Sequence, residues 1–424
     1  MHASRRLLAL AFSLTTLFGV AACSDSSSSG SDEPVKLTMW VRDATGAYSK
    51  ALVDDYNATH KNQITLTVIP NDNYQQKVGQ AAGSKTLPDL IAADVVYSPN
   101  YVAQGLFADI TTNVKALPFY STLAQAHTKA ASKDGKIYAV PHKVDSSLIV
   151  YNKDLFTKAG LDPEQRPKSY DDIYAAAKKI HALGADTYGF YIAGNCGGCN
   201  AYTAMPYGVA DGHPTVSDDG KTSDLNNDAL KAAFANYKRM FDEGIIPASA
   251  KTETGATWTA SFLSGKVGML PAGSFVFADV IKKASFKWGV IPLGNATGSK
   301  TATFVGGDVL AIAQTSKHRD AAWDFVASSL ADHAQTDIVA KGGDLPARSD
   351  LAENQYSSAN PPVVATIKGL ANGWTPSSVG YGPAFNDPNG PWNAAVRGAV
   401  FGTDPATALS DGQKKIDALL TSGG

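Results

Sequence analysis

Aromatic and acidic side chains lie together near the ends of two predicted strands. Trp40 and Asp43 lie at the end of a strand predicted over residues 35–40, and Asp94 and Tyr97 follow a strand predicted over residues 89–93. Ligands of parallel α/β sheets bind at the carboxyl ends of the strands. Because a carboxylate accepts charge-assisted bonds from hydroxyls and an aromatic ring packs against the C–H face of a sugar, these residues predict a site for a neutral, hydroxyl-rich ligand. A core role for Trp40 and a helix-capping role for Asp43 are the alternatives.

An exported glycoside hydrolase is the competing class of function. Such an enzyme needs two carboxylates about 5 to 10 Å apart, and the sequence singles out no Asp or Glu pair. It also contains no G-x-S-x-G, H-E-x-x-H or G-x-x-x-x-G-K-[ST] motif. We therefore expect binding without catalysis and without a cofactor.

Cys196 and Cys199 are the only cysteines after Cys23. In an exported protein we expect them to form a disulfide. A zinc site would need two further ligands, for which His213 is the nearby candidate. Redox catalysis would require the motif at a helix start after a strand, whereas we expect a loop rich in Gly and Asn. We expect no metal, and place Asn195 beside the ligand, with backbone capping by this amide and by Asn200 as the alternative.

The N-terminal residues have the order of an export signal. Arg5 and Arg6 precede an apolar stretch over residues 7–22, which is shorter than the roughly 20 residues of a membrane span. Val20, Ala21 and Ala22 precede Cys23 in a pattern that resembles the lipobox of bacterial lipoproteins. The resemblance implies a signal peptide over residues 1–22, a lipid on Cys23 and a flexible tether over residues 23–34. An ordinary signal peptide with an unrelated cysteine is the alternative.

The charge composition argues against a nucleic-acid partner. The chain has 37 basic and 39 acidic residues, a net charge of -2, and no long run of like charge. Neither nucleic acid nor an anionic lipid surface is therefore expected to attract it electrostatically. The ligand should be neutral or recognised by local contacts.

Alternating strand and helix patterns predict an α/β fold with a mostly parallel sheet. Strands over residues 35–40, 63–69 and 89–93 alternate with apolar stripes of helical spacing. A capping-box pattern at Ser169 and Asp172 predicts another helix start. The chain is too long for one sheet and has no proline-rich linker, so two lobes joined by several crossings fit best. Further helices are predicted over residues 46–57, 73–82, 230–241, 321–330 and 405–420.

Four short segments follow one another in a specific order. The most distinctive covers residues 139–162, in which Asp145 precedes an apolar strand and the sequence Tyr-Asn-Lys-Asp-Leu-Phe. The other three cover residues 265–275, 288–293 and 304–308. Together they resemble the maltose-binding type of extracellular solute-binding proteins, the capture subunits of ABC sugar importers. The resemblance extends over essentially the whole chain after the tether.

This resemblance implies a periplasmic-binding-protein-like fold, in which two α/β lobes close over a ligand in the cleft between them. The crossings are expected near residues 142–144, near Phe304 and after Gly343. The resemblance also implies a monomer, held by its lipid on the outer face of the cell membrane, which delivers a carbohydrate to the permease subunits of an ABC transporter. A polyamine, an iron complex or glycerol phosphate is the alternative ligand. The expected N-terminal lobe comprises residues 35–143 and 305–347, and the C-terminal lobe residues 144–304 and 348–424.

The resemblance also assigns ligand contacts near the crossings. Asp145 matches the acidic position before the apolar strand, with a hinge-capping role as the alternative. Ser274 and Phe275 match the position of a stacking aromatic ring. Gly307 and Asp308 lie at the second crossing. These residues are expected on the floor and the C-terminal side of the cleft.

The first lobe is expected to contribute the strand-end residues. Asp94 and Tyr97 match a position where the family has an aromatic residue and an acid, although Val96 stands where the acid is expected. Trp323 and Trp392 are expected to pack between helices. Further aromatic contacts are expected from Trp258, Trp374 and Tyr381.

Overall fold

The computed structural model describes residues 33–402 and 404–422. The chain from Val35 onward forms one compact unit. The predicted signal peptide and lipidated Cys23, and the tether up to residue 32, lie outside the described residues. Within the two described ranges, no helix combines the length and the apolar character needed to cross a bilayer.

Within the described residues, ten strands build the sheets. The predicted strand over residues 63–69 has these bounds in the structure, and the first and third strands end later than predicted. The strands are β1 (Lys36–Arg42), β2 (Gln63–Ile69), β3 (Leu90–Asp94), β4 (Ser132–Lys133), β5 (Lys136–Ile137), β6 (Ala139–Asn152), β7 (Tyr188–Phe190), β8 (Val267–Gly273), β9 (Trp288–Ile291) and β10 (Val305–Ile312).

The main sheet has the order β2-β1-β3-β10-β6-β8-β7, with β9 also paired to β6. Strands β1, β2 and β3 pair in parallel, as do β7 and β8. β10 runs antiparallel to both β3 and β6, and β6 runs antiparallel to β8 and β9. The prediction of a mostly parallel sheet is therefore wrong, because the returning chain of β10 and the long β6 insert antiparallel pairs at the centre.

Strand β6 links the two parts of this sheet. Its first half, up to Ser146, pairs with β10, and its second half, from Ser147, pairs with β8 and then also with β9. Near the change of partner, the hydroxyls of Ser146 and Thr303 lie 2.7 Å apart. Asp145 thus lies where the chain passes from one part of the sheet to the other.

Helices cover the sheet, and several begin at recognisable caps. Ser169 and Asp172 form the predicted capping box at the start of α7, and prolines lie in the first turns of α3, α13 and α14. The helices are α1 (Gly46–Thr59), α2 (Asn71–Ser84), α3 (Ser98–Ala103), α4 (Thr111–Lys115), α5 (Gln125–Ala130), α6 (Lys153–Lys158), α7 (Tyr170–His181), α8 (Gly197–Ala210), α9 (Asp228–Asp242), α10 (Trp258–Leu263), α11 (Phe277–Lys283), α12 (Arg319–Ser329), α13 (Pro361–Gly369), α14 (Pro391–Phe401) and α15 (Pro405–Ser422).

Helix α8 begins at the cysteine pair, which differs from the expectation from the sequence. Cys196 is the N-cap of α8 and Cys199 lies in its first turn, after strand β7. The expectation that the two cysteines lie in a loop away from a helix start is therefore wrong. Gly and Asn around the pair mask the helix in the sequence, because neither residue type favours a helix interior.

Candidate ligand-binding cleft

Four segments of the sheet bring polar side chains to one region. The carboxyl ends of β1 and β3 carry Arg42 and Asp94, the middle of β6 carries Asp145, and Ser274 follows β8 directly. β10 begins next to them, and its Asp308 is paired in register with Asp94. The region matches the carboxyl-end location expected for ligand sites in α/β sheets.

Arg42 holds two carboxylates together at the first-lobe side. Its guanidinium lies 3.1 Å from Asp94 and also hydrogen bonds to Asp308, which accepts a further bond of 2.8 Å from the Thr45 hydroxyl. Burial favours a higher pKa for Asp308, but the Arg42 charge and these hydrogen bonds hold the pKa below its usual value. Because the Asp308 side chain is 0% exposed, its role is structural, and the expected ligand contact is not available in this structure.

Gly307 also has a structural role instead of the expected ligand contact. Its φ of +103° is in the region that favours glycine, and a Cβ there would lie 2.1 Å from the Lys143 carbonyl oxygen. The residue lies beside an irregularity in the pairing of β10 with β6. It is therefore required by the backbone geometry of the crossing.

Asp145 has a carboxylate that is available to a ligand. Among the described residues its one hydrogen bond comes from the Ser274 hydroxyl, at 3.4 Å, and that hydroxyl accepts from the Ser146 backbone N–H at 3.0 Å. Burial raises the pKa of Asp145 to about 6, although Lys143 opposes the shift. A partly buried carboxylate with spare acceptor capacity is stabilised by any hydroxyl that donates to it.

Lys143 and Asp344 form an ion pair beside Asp145. The ammonium lies 2.7 Å from Asp344 and 5.3 Å from the centre of the Tyr48 ring. Burial alone would lower the pKa of Lys143, but Asp145 and Asp344 keep it above its usual value. Neither member of this pair was predicted from the sequence. Position 143 adjoins the predicted first crossing, but nothing in the sequence connects it to a residue 201 positions later.

Aromatic side chains form a wall next to these charges. The Tyr202 ring lies 5.2 Å from Phe304 and 6.3 Å from Phe275, and the Trp258 ring lies 5.8 Å from Phe275. The Tyr202 hydroxyl and the Trp258 Nε1 are buried and have no hydrogen-bond partner within the described residues. Burial raises the pKa of Tyr202 well above its usual value, with the Asp145 charge adding to the effect. Phe275 and Trp258 were expected here, whereas Tyr202 was not.

Glycines allow Tyr202 to lie directly on the crossing strands. A Cβ on Gly273, at the end of β8, would lie 2.6 Å from the Tyr202 ring, and one on Gly306 in β10 would lie 2.8 Å from it. Larger residues at either position would displace the ring. The sequence shows glycines at positions 273 and 306. It does not show that they face Tyr202, because this residue lies on α8, distant in the chain.

The strand-end residues Trp40 and Asp43 both have partners on helix α2. Trp40 is partly exposed, and the Lys77 ammonium lies 4.9 Å from its ring. The Asp43 carboxylate accepts a 3.1 Å hydrogen bond from the backbone N–H of Asn71, at the start of α2. Asp43 therefore has the capping role that was considered as the alternative, although its side chain remains exposed.

Tyr97 makes a contact from the end of β3 to the C-terminal part of the chain. Its hydroxyl accepts from Asn386 Nδ2 at 3.3 Å, and its ring lies so close to Gly382 that a Cβ there would be 2.5 Å away. Asp94 accepts a local 3.2 Å bond from the Val96 N–H. Tyr97 is thus near the expected region, but its hydroxyl already has a protein partner.

Asn195 and Tyr381 are committed to packing and internal hydrogen bonds. The Asn195 Oδ1 accepts from Asn393 at 3.2 Å and from Arg397 at 3.1 Å. Tyr381 is 2% exposed and packs against Phe385 with ring centres 4.9 Å apart. The structure therefore gives both residues structural roles in place of the expected ligand contacts, because the loop around residue 381 folds into the core.

Trp374 contacts the aromatic wall through Phe304. Its ring packs edge-on against Phe304 at 5.6 Å, and it borders a pocket of about 280 Å³. A second pocket, of about 250 Å³, lies beside the crossing and is lined by Ser147, Thr303 and Thr366. Neither pocket includes Asp145, Tyr202 or Phe275 among its lining residues.

The cysteine pair and its surroundings provide no metal ligands. Cys196 and Cys199 are joined by a disulfide, and His213 instead faces Asp224, with Nδ1 at 3.0 Å from the carboxylate. Within the described ranges, no group of three His, Cys, Asp or Glu side chains could hold a metal ion.

Comparisons with known proteins agree on one family. A family model described as bacterial extracellular solute-binding protein matches residues 51–365. The diacetylchitobiose binding protein DasA of Streptomyces coelicolor is 26% identical, over 98% of this chain and 99% of that protein. A maltooligosaccharide ABC transporter solute-binding lipoprotein of Streptococcus pneumoniae is 24% identical, over 81% of this chain and 79% of that protein.

Solved structures share the fold. The GacH receptor of Streptomyces glaucescens, solved unliganded and with acarbose, has a TM-score of 0.77 and 24% identity, covering 91% of this chain and 98% of that one. The cyclic alpha-maltosyl-1,6-maltose binding protein of Arthrobacter globiformis has a TM-score of 0.76 and 23% identity, covering 92% and 100%. These matches confirm the predicted two-lobed α/β fold.

Proposed function

This chain belongs to the bacterial extracellular solute-binding protein family, and we propose that it captures a carbohydrate outside the cell and delivers it to an ABC importer. The observation that carries the choice of ligand is the carboxylate of Asp145, which is largely buried yet has a single 3.4 Å hydrogen bond among the described residues. Its neighbours supply the two other features that a sugar needs, a hydroxyl partner and aromatic faces.

A neutral sugar satisfies this site better than a charged solute does. Hydroxyls donate to Asp145, while the partly exposed rings of Phe275 and Tyr202 offer surfaces for C–H groups. A phosphate ligand binds free Arg side chains or helix N-termini. The cations near Asp145 already form ion pairs, Arg42 with Asp94 and Asp308, and Lys143 with Asp344. The names of the two relatives also refer to sugars.

One observation favours the alternative of a glycoside hydrolase. A pKa of about 6 for Asp145 is also the property of a general acid. A hydrolase needs a second carboxylate with a free face, however, and the neighbouring Asp94, Asp308 and Asp344 are each held by a cation. We therefore propose binding without turnover.

We propose that the lobes comprise residues 35–143 with 305–347, and residues 144–304 with 348–424, and that they close over the sugar. The change of partner along β6 at Ser146 and Ser147, and the start of β10 at Val305, support two of the boundaries. The Lys143–Asp344 pair lies close to the third. Asp145 and the Tyr202 wall both belong to the second of these lobes, so closure around the crossing would bring the first lobe over the opposite side of the ligand.

We further propose that the protein is a monomer anchored at the outer face of the cell membrane by a lipid on Cys23, where it meets the permease subunits of the transporter. The support is the sequence pattern before Cys23 together with membership of an extracellular family. Mass spectrometry of the membrane fraction tests the anchor, because a diacylated N-terminal Cys23 is expected and an unmodified mature N-terminus would contradict it.

A thermal-shift screen of the chain from Ser24 onward against mono- and oligosaccharides tests the ligand class. This chain retains the whole compact unit from Val35. A ligand at 100 times its Kd adds about 2.7 kcal/mol to the free energy of unfolding, so a true ligand gives a clear shift. Each sugar that binds is then incubated with the protein and recovered by chromatography. Binding without change is expected, whereas no hit in the panel or steady turnover would overturn the proposal.

A further inference from the structure

A disulfide closes the first turn of α8. Cys196 is the N-cap of this helix, and its sulfur accepts a 3.2 Å hydrogen bond from the Cys199 N–H. Both cysteines are partly buried. Gly255, with φ +96°, lies against the pair from one side, since a Cβ there would be 2.9 Å from the Cys199 sulfur.

The two glycines between the cysteines lie against the segment Gly382–Asn386. A Cβ on Gly197 would lie 2.7 Å from the Phe385 carbonyl oxygen, and one on Gly198 would lie 3.0 Å from the Asn386 Oδ1. The Gly197 carbonyl also accepts a 3.1 Å hydrogen bond from Trp392 Nε1. The disulfide-closed turn is therefore in contact with the backbone that carries Asn386.

Two residues next to this turn, Asn386 and Tyr202, contact residues of the cleft. Asn386 donates to the Tyr97 hydroxyl at 3.3 Å. Tyr202 lies one helical turn after Cys199 on α8, and its ring rests on the crossing strands at Gly273 and Gly306. The position of the first turn of α8 thus affects the positions of two cleft side chains, Tyr202 directly and Tyr97 through Asn386.

We propose that the Cys196–Cys199 disulfide is a positioning element of the binding cleft, which sets the ligand affinity through Tyr202 and through Asn386 and Tyr97. The proposal rests on the proposed function for its ligand. It makes the affinity dependent on the redox state of the pair, because two separate thiols no longer fix the first turn.

The expected effect is local. The closed loop contains only four residues, so opening it adds little entropy to the unfolded chain, and overall stability should change modestly. Loss of one well-placed hydrogen bond or ring contact weakens binding about 5- to 10-fold. We expect a change of this size in Kd on reduction.

The test compares oxidised and reduced protein, using the chain from Ser24 onward so that Cys196 and Cys199 are its only cysteines. Dithiothreitol supplies two electrons, each sulfur takes up a proton, and the reagent closes into its own cyclic disulfide. Thiol counting verifies complete reduction. Calorimetric titration with a sugar from the screen should then give the weaker Kd. The double variant Cys196→Ser/Cys199→Ser should match the reduced protein and should not respond to the reagent.

A double-mutant cycle separates positioning from a general structural role. In a Tyr202→Phe background, and likewise in Asn386→Ala, reduction should change Kd less than in the wild type, because one route to the ligand is already lost. The same fold-change in all three backgrounds would overturn the proposal. So would an unchanged Kd in fully reduced wild type that still binds sugar.

A second readout needs no ligand. Hydrogen exchange should become faster on reduction in two places, the first two turns of α8 and the segment Gly382–Asn386, and remain unchanged elsewhere. If no sugar binds even to oxidised wild type, the proposed function fails, and this measurement alone decides the role of the disulfide. Faster exchange confined to residues 195–200, or spread over the whole chain, would overturn it.

Discussion

Replacing Asp145 by Asn keeps the shape of the side chain and removes its charge. In the wild type, a sugar hydroxyl would donate to a carboxylate that has one other hydrogen bond, from Ser274 at 3.4 Å. Hydrogen bonds to charged groups contribute about 1.5 to 3 kcal/mol, which corresponds to a Kd about 10- to 150-fold higher in the variant.

The same substitution should stabilise the unliganded protein. The pKa of Asp145 is raised from 3.8 to about 6 by burial, so between these values the folded state binds more protons than the unfolded chain. The free energy of unfolding therefore falls as the pH rises through this window. The difference of about two pKa units sets an upper limit of roughly 3 kcal/mol, which solvent screening of this partly exposed group reduces to about 1 to 2 kcal/mol. Asp145→Asn should gain this amount at pH 8 and little at pH 4.

Calorimetric titration and denaturant unfolding of three proteins check both effects. The matched control is Asp154→Asn, which changes an Asp in the first turn of α6 that accepts a 3.4 Å bond from the Lys287 N–H. It should bind as the wild type does. Equal affinities for wild type and both variants would remove Asp145 from the site, and a loss of stability at pH 8 in Asp145→Asn would refute the assignment of its raised pKa.

Three further outcomes are expected. The wild-type Kd should rise as the pH falls from 7.5 through about 6, because protonated Asp145 no longer accepts charge-assisted bonds. Calorimetry should find this pH dependence of Kd absent in Asp145→Asn, and the same pH dependence in both proteins would contradict the prediction. Gly307→Ala places a Cβ 2.1 Å from the Lys143 carbonyl oxygen at φ +103° and should lower the free energy of unfolding by about 2 to 4 kcal/mol. In the control Gly342→Ala, a Cβ meets nothing within 4 Å and the residue lies in helical backbone, so denaturant unfolding should find the free energy of unfolding unchanged or raised by up to about 1 kcal/mol; an equal loss of stability in both variants would refute the strain argument. Small-angle scattering should find a smaller radius of gyration at ligand saturation, and an unchanged radius would count against lobe closure.

Local signals in the sequence predicted the fold well. The capping box at Ser169 and Asp172 depends on residues three positions apart, and the bounds of β2 follow from one β-rich stretch. Both signals are complete within a few residues. The relation of β6 to the crossing was also accessible, because Asp145 precedes an uninterrupted apolar strand.

The site was harder to predict because its geometry depends on distant pairing. Asp308 was expected to contact the ligand, but its register opposite Asp94 brings it to Arg42, which the sequence does not connect to either carboxylate. Tyr202 was missed because its position depends on where α8 begins, and the glycine-rich cysteine motif hides that start. In each case, the chemical type of the residue was visible, whereas its partner was set by tertiary structure.

The continuity of β6 has a consequence for how chain length can vary. Because successive side chains of a strand alternate between the two faces of a sheet, one inserted or deleted residue would turn every later side chain to the opposite face. An insertion between Pro141 and Asp145 would move Asp145 away from Ser274 or break the pairing of β6 with β10. Insertions and deletions in related proteins should therefore be rare within β6 and more frequent in surface turns such as residues 217–222. Ligand preference should then change by substitution at the crossing, and by insertion only at the rim of the cleft.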